Sequence, residues 1–495
     1  MGLQDRLGQL LQEAPADVET VNLGETWWTW GQLGDVVRAV DQACTSAGLG
    51  AGARVGVVLR NRPETVAVAL GVLASGRCIT TLNPLQPPSR LATDIARSAP
   101  PMVIGNVEVL DNTAVRGAIE AAGVAVVLGD DGSLAPAEPS VREWSEDAYS
   151  IGTAVEMMTS GTTGPPKRIN LTYRQLDSAF SAQGSGTGEV RLSMAVGIVS
   201  APLVHIGGLW HALNTVLAGR RLVLLDRFRV SDWVAAVEQF RPKVVSLVPA
   251  ALQAVLNADV PAESLSSVRA VTSGTAACPP ELIDAFTGRY GIPILTTYGA
   301  TEFAGAVAGW SLADHHQWRE RKRGSVGRAF RGVRIRAVDP QGDELPAGEV
   351  GQLQISAAQL SADESWTSTS DLGCIDSDGF LFITGRADDA IVRGGFKVQP
   401  STVQAALEKH PAVAAAAVAG LPDARLGKVP VAVVELLDGA TPPTVEELLD
   451  LAREELVPYE VPVDIKIVGE LPRTPSMKIS RAEVIALFED PAGVS

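Results

Sequence analysis

Between Leu33 and Gly76 the sequence alternates two periodicities, and that alternation restricts the fold more than any other feature. Leu33, Val36, Val37 and Val40 recur at spacings of three and four, the signature of an amphipathic helix, here ending near Gly48. "RVGVVL" at 54–59 is a continuous apolar run of strand length, and "ETVAVALGVLASG" at 64–76 reads as helix again. The runs "RLVLL" at 221–225 and "KVVSLV" at 243–248 repeat the theme beside a helical stretch at 231–240. A strand buried on both faces is apolar throughout, so these runs predict parallel sheets covered by helices. A chain of 495 residues exceeds one core, and roughly two to four folding units are expected.

From about residue 324 the texture changes. Short alternating strands and turn signals such as Pro340-Gln341-Gly342 and Pro346-Ala347-Gly348 predict a small β-rich unit or barrel. Beyond "GRADDAIVRGG" at 385–395, helical candidates at 402–409 and 444–457 mix with strand candidates at 412–420 and 429–436. The fold class expected is therefore α/β. A large N-terminal domain (1–387) would hold two helix-covered β-sheets and a β-rich subdomain at about 324–387. A small, mobile α+β C-terminal domain (388–495) would follow a hinge at Asp388.

Charge narrows the partners. Acids outnumber bases 57 to 41, a net charge of −16. Nucleic-acid affinity rests on Lys and Arg meeting phosphates, so no nucleic-acid partner is expected. The opening "MGLQDRLGQLLQEAPAD" is too polar for a signal peptide, and no apolar stretch is long enough to span a bilayer. Cys44, Cys78, Cys278 and Cys374 form no CxxC pair, so neither a disulfide framework nor a zinc site is expected. These features predict a cytoplasmic protein.

"MMTSGTTGPPKR" at 157–168 is the first stretch with chemistry in it. Glycines let backbone N–H groups turn inward and surround an anion. Thr159, Ser160, Thr162 and Thr163 can add hydroxyl donors, and Lys167 offers a point charge for a phosphate. The nucleotide motif GxxxxGK[ST] is not matched, because Gly161 and Gly164 are too close and no Ser or Thr follows Lys167. Taken alone, the stretch could equally be a solvated turn.

"TSGTTGPPK" closely resembles the phosphate loop of the adenylate-forming superfamily, which includes acyl- and aryl-CoA synthetases. Four further segments resemble that family in the expected order, so the likeness runs from about residue 25 to the end. "SGTAACPPEL" at 273–282 resembles the loop beside adenine, which implies backbone contacts from Gly274, Thr275 and Ala276. "TTYGATE" at 296–302 resembles the main nucleotide segment. The resemblance implies that Tyr298 and Gly299 meet the adenine, that Thr301 donates to the α-phosphate, and that Glu302 holds Mg²⁺. "TSTSDLGCIDSDGFLFITGRADDAIVRGGFKVQP" at 367–400 implies that Asp371 and Arg386 hold the ribose and nucleotide. It also implies that Asp388 is the hinge and that Gly394, Gly395 and Phe396 meet the pantetheine arm of coenzyme A. "LPRTPSMKISRAEV" at 471–484 implies that Lys478 bridges the substrate carboxylate and the α-phosphate. Each segment also has a plain structural reading as a turn, a cap or a surface residue.

Departures from the family pattern are Arg168, Ser370 and Met477 at customary glycines, and Thr402 where an acid is common. The stretch from Gly351 to Asp371 is short. None removes a residue with a direct chemical role.

The implied reaction is ATP-dependent activation of a carboxylic acid to acyl-AMP with release of pyrophosphate, then transfer to coenzyme A. "PLVHIGGLWHAL" at 202–213 resembles the segment near the substrate, with His205 beside the carboxylate and space behind Gly207 and Gly208. No Asp in "LVHIGGLW" marks an amino-acid substrate, and no cation there marks a second substrate charge. Fatty, aryl or alicyclic acids are expected. Two alternatives stay open: loading of a carrier protein, and a noncatalytic acyl- or nucleotide-binding relative. Homo-oligomerisation is also left open.

Overall fold

The computed structural model describes residues 2–136, 143–159, 167–182, 191–387, 390–393, 396–423, 425–474 and 477–489. Near the N-terminus the helix Trp30–Ser46 starts where expected. Its first turn is closed by a capping box, with Gln32 N donating to Thr29 Oγ1 at 3.3 Å and Thr29 N donating to Gln32 Oε1 at 2.9 Å. The helix Pro63–Ala74 lies against it, and Gly71 allows the close approach, since a Cβ there would sit 3.0 Å from Val40 Cβ. Both helices cover a seven-stranded sheet that includes Arg54–Val58, Cys78–Leu82, Met102–Gly105 and Thr153–Thr159.

The strands Arg54–Val58, Arg220–Leu224 and Val244–Ser246 pair in parallel as expected, and each sheet adds antiparallel strands at its edges. In the seven-stranded sheet the central strands are parallel, while Leu134–Pro136 and Lys167–Thr172 close its two edges antiparallel. A four-stranded sheet joins Ser193–Val199, Arg220–Leu224 and Glu19–Leu23 in parallel, with Thr26–Thr29 antiparallel. A five-stranded sheet runs parallel from Val244–Ser246 through Ala270–Ser273 to Ile294–Ala300, then reverses into Gly305–Gly309. The apolar run at 243–248 yields only three strand residues, because Leu247 and Val248 turn into the helix Pro249–Asn257.

The β-rich region is an open antiparallel sheet of Val333–Val338, Gly351–Ala357, Thr367–Ile375 and Leu381–Arg386, not a barrel. Beyond it, Gly427–Leu436 pairs with Val413–Asp423 and Ile465–Val468, and the helices Pro400–Leu407 and Val445–Glu455 cover one face. These residues build clusters of their own around Val403, Leu407, Val434 and Leu448, separate from the large N-terminal core.

Candidate active site

The segment at 296–302 is packed from behind. The strand Ile294–Ala300 carries Tyr298 and Gly299 into the turn Thr301–Phe303. A Cβ on Gly299 would meet Gly305 O at 2.4 Å, so the close approach of Gly305–Gly309 admits only glycine there. Tyr298 Oη donates to Asp371 Oδ2 at 2.5 Å, which ties this strand to the β-rich sheet. Burial, reinforced by that carboxylate, pushes the phenol well above its usual range.

Asp371 pairs across the sheet with Arg386, whose Nη1 lies 3.9 Å from Asp371 Oδ1. Arg386 Nη2 also donates to Ser370 Oγ at 2.6 Å. Ser370 thus orients the arginine with a hydroxyl that the customary glycine lacks.

Gly274, Thr275 and Ala276 follow the strand Ala270–Ser273 at the same end of the sheet. A Cβ on Gly274 would lie 2.5 Å from Thr297 Oγ1. Thr275 is left-handed at φ 70°, a costly conformation for a β-branched residue and one that often marks a functional loop.

His205 directly precedes the helix Ile206–Leu217. Its Nε2 is buried and meets no hydrogen-bond partner among the described residues. Burial pushes the imidazole down to about 4, and the positive charge of Lys478 acts in the same direction. Lys478 itself remains open to solvent. Desolvation lowers its pKa, Glu302 opposes the shift and Arg386 adds to it. The C-terminal lysine therefore shares one electrostatic neighbourhood with His205, Glu302 and Arg386.

Among the described residues no group of three His, Cys, Asp or Glu side chains is placed to hold a metal. Glu302 is exposed and enters no ion pair with them, so its oxygens are available to a cation. Thr301 is half-buried at the start of the same turn.

Of the segment expected to bind phosphate, Thr159 and Lys167 are cross-strand partners. Ser160, Gly161, Thr162, Thr163 and Gly164 lie outside the described residues, as do Asp388, Gly394 and Gly395. Phe396 is exposed and stacks on Tyr459, with ring centroids 4.7 Å apart.

One feature escaped sequence reasoning. Glu156, an acid inside the apolar strand "TAVEMMT", is buried and binds Arg54, Thr80 and Arg168. An acid in such a run was the available signal. The expected space behind Gly208 is corrected: on the helix Ile206–Leu217 a Cβ there would strike Pro202 O at 2.2 Å. Gly207 does leave space, with Thr275 Cγ2 at 3.5 Å.

A large α/β region followed by a C-terminal unit with a core of its own is the layout of an adenylate-forming enzyme. The chain belongs to the AMP-binding enzyme family, whose profile matches residues 10–362, with the AMP-binding enzyme C-terminal domain matching 402–478. It is 32% identical over 480 residues to the sulfoacetate–CoA ligase of Cupriavidus necator, covering 92% of each chain. The o-succinylbenzoate CoA synthetase of Bacillus subtilis, solved with its acyl-adenylate intermediate, superimposes with a TM-score of 0.78 at 26% identity over 97% of both chains. An amide bond synthetase from Marinactinospora thermotolerans superimposes with a TM-score of 0.80 at 27% identity, covering 98% of this chain and 100% of that one. Among the described residues no helix is long and apolar enough to cross a membrane.

Proposed function

We propose that this protein activates a carboxylic acid with ATP and transfers the acyl group to coenzyme A. The observation that carries the reading is the meeting of Lys478 with His205, Glu302 and Arg386 in one electrostatic neighbourhood. Family membership and the named CoA ligase relative support it.

A carboxylate is a poor acylating agent because its leaving group would be oxide. In the first step a carboxylate oxygen bonds to the α-phosphorus of ATP, and the bond from that phosphorus to the pyrophosphate oxygen breaks. Two anions must approach, so an ammonium between them lowers the barrier where charge concentrates. We assign that position to Lys478. His205 is neutral near pH 7 and can hydrogen-bond the acid without adding charge. Asp371 accepts hydrogen bonds only, which suits ribose hydroxyls, while Arg386 faces the nucleotide. Thr159, Lys167 and the residues between them would take the β- and γ-phosphates. Mg²⁺ fits as an ion held by Glu302 and phosphate oxygens, where it would offset phosphate charge.

In the second step the thiolate of coenzyme A attacks the acyl carbon and AMP leaves. Lys478 has no role there, so the C-terminal unit would turn about Asp388 to bring residues 394–396 to the site.

The test separates the half-reactions. Lys478→Ala is expected to lower acid-dependent pyrophosphate release at least a hundredfold while thioester formation from supplied acyl-AMP falls less than tenfold. Equal loss of both would refute this division of labour. Pyrophosphate release that hydroxylamine traps and coenzyme A leaves unchanged would point to a different acceptor.

A further inference from the structure

Asn61 is a buried amide, 4% exposed, at the seam between two sheets. It lies between the strand Arg54–Val58 of the seven-stranded sheet and the helix Pro63–Ala74. The four-stranded sheet brings it the carboxyl ends of two parallel strands, Ser193–Val199 and Arg220–Leu224. Asn61 Nδ2 donates to Ala201 O at 3.1 Å and to Leu225 O at 2.9 Å. Its Oδ1 accepts from Leu203 N at 2.9 Å. Both amide hydrogens are used, and every partner is backbone from the other sheet's loops. A buried amide without such bonds would be costly.

Joining the sheets would need only the bond to Leu225. The other two bonds have a different object. Ala201 O and Leu203 N flank Pro202, and a γ-turn would pair them with each other. The Asn61 amide pairs with both instead, offering a donor and an acceptor from one planar group. Pro202 also opens the tight turn that ends at His205, whose N–H donates to Pro202 O at 3.0 Å. Within that turn Leu203 and Val204 are buried in the main core, 1% and 5% exposed. His205 then starts the helix Ile206–Leu217, with Leu209 N donating to His205 O at 3.0 Å. The His205 Nε2 atom meets no partner among the described residues, so the ring depends on its backbone for its aim. That backbone is gripped by Asn61 on both sides of Pro202.

We propose that Asn61 is a positioning residue for activation of the acid: by clamping the turn 202–205 to both sheets it sets where the His205 imidazole meets the reacting carboxylate. The inference rests on the ligase reading, in which His205 hydrogen-bonds the acid. A neighbouring contact supplies a control. Arg62 and Asp226 join the same two segments, with Nη2 3.6 Å from Oδ1, but the pair is open to solvent and does not include the turn. A link between the segments is thus present twice, and only the Asn61 link reaches the backbone that carries His205.

The experiment measures pyrophosphate release with ATP and coenzyme A present, using octanoate, benzoate and 4-coumarate, and follows the acid with the highest kcat/KM. Asn61→Ala is expected to lower kcat/KM for that acid at least tenfold, while the Kd for ATP, read by calorimetry, moves less than threefold. Asp226→Asn should leave both within twofold. His205→Ala lowers kcat/KM by itself. In that background Asn61→Ala should add less than a further threefold, because the turn then has no imidazole to aim. A purely structural tie would give the same tenfold loss in either background. If Asn61→Ala no longer binds ATP, the comparison is made with Asn61→Ser, whose hydroxyl keeps one donor and one acceptor. Multiplicative losses, an unchanged kcat/KM, or loss of ATP binding in both variants overturns the proposal. No release with any of the acids overturns the ligase reading itself.

Discussion

Arg168 is bound by the buried carboxylate of Glu156, with Nη1 3.3 Å from Oε2. The two residues lie diagonally across the paired strands Thr153–Thr159 and Lys167–Thr172, since Glu156 faces Asn170 and Met158 faces Arg168. The same Oε2 also accepts from Arg54 Nε at 3.0 Å and Thr80 Oγ1 at 3.0 Å. One carboxylate thus ties the strand Lys167–Thr172 to the strands Arg54–Val58 and Cys78–Leu82. The arginine at 168 replaces a customary glycine and serves as this fastening.

Removing the carboxylate leaves Arg54 buried without its counter-charge, although Asp147 O still accepts from its Nη1 at 2.9 Å. Breaking a buried pair in this way costs about 3–5 kcal/mol. Glu156→Gln is expected near the lower figure, because the amide oxygen can still accept. Arg168→Gly should cost only about 1 kcal/mol in stability, as its side chain is partly exposed, but should raise the KM for ATP at least threefold. A double-mutant cycle in urea unfolding should give a coupling of about 1 kcal/mol or more. Strictly additive losses would show that the contact contributes nothing.

Two adjacent glycines should behave oppositely. A Cβ at 208 would meet backbone at 2.2 Å, whereas one at 207 meets only a methyl at 3.5 Å. Gly208→Ala is expected to destabilise the protein by about 1–3 kcal/mol, as overpacking against an immobile carbonyl does. Gly207→Ala should leave the unfolding midpoint nearly unchanged and alter only which acids are accepted. Measuring both midpoints decides it, and equal effects would contradict the placement of the helix.

The sequence made the fold legible because its strands are short, apolar and regularly spaced. Helices were anticipated within a few residues at Trp30–Ser46, Pro63–Ala74 and Val230–Phe240, where amphipathic spacing or prolines mark the ends. Antiparallel edge strands such as Lys167–Thr172 were not, since pairing direction leaves no periodic trace. The site was legible where backbone geometry demands a residue type, as at Gly274 and Gly299. It was illegible where side chains distant in sequence meet. Arg54 with Glu156, His211 with Ser246, and Tyr298 with Asp371 are each joined by tertiary packing alone.

Acid should weaken the fold through two histidines. His205 and His211 are each pushed by burial from 6.5 down to about 4. A lowered folded-state pKa means that the unfolded chain binds the proton first. Stability is therefore full above about pH 6.5 and falls as the pH drops toward 4. At about 1.4 kcal/mol per pH unit, each histidine accounts for up to roughly 3 kcal/mol, less where solvent reaches the ring. His211→Gln should flatten this limb in urea unfolding between pH 7 and pH 4. An unchanged slope would mean that His211 is protonated in the folded protein.

The residue before the lysine offers a last test. Met477 is left-handed at φ 64°, at a position where the family customarily has glycine. A side chain there costs about 1–2 kcal/mol, and Met477 is exposed enough that little packing offsets it. Glycine removes the steric cost but gives the unfolded chain more freedom to lose, worth about 0.5–1 kcal/mol. Met477→Gly should thus stabilise the C-terminal unit by up to about 1 kcal/mol, while Met477→Val, branched at Cβ, should destabilise it by about as much. Because the turn presents Lys478, the valine variant should also slow acid-dependent pyrophosphate release more than thioester formation from supplied acyl-AMP. If both variants match the parent in unfolding and in both half-reactions, position 477 is not held left-handed and the lysine is positioned by other contacts.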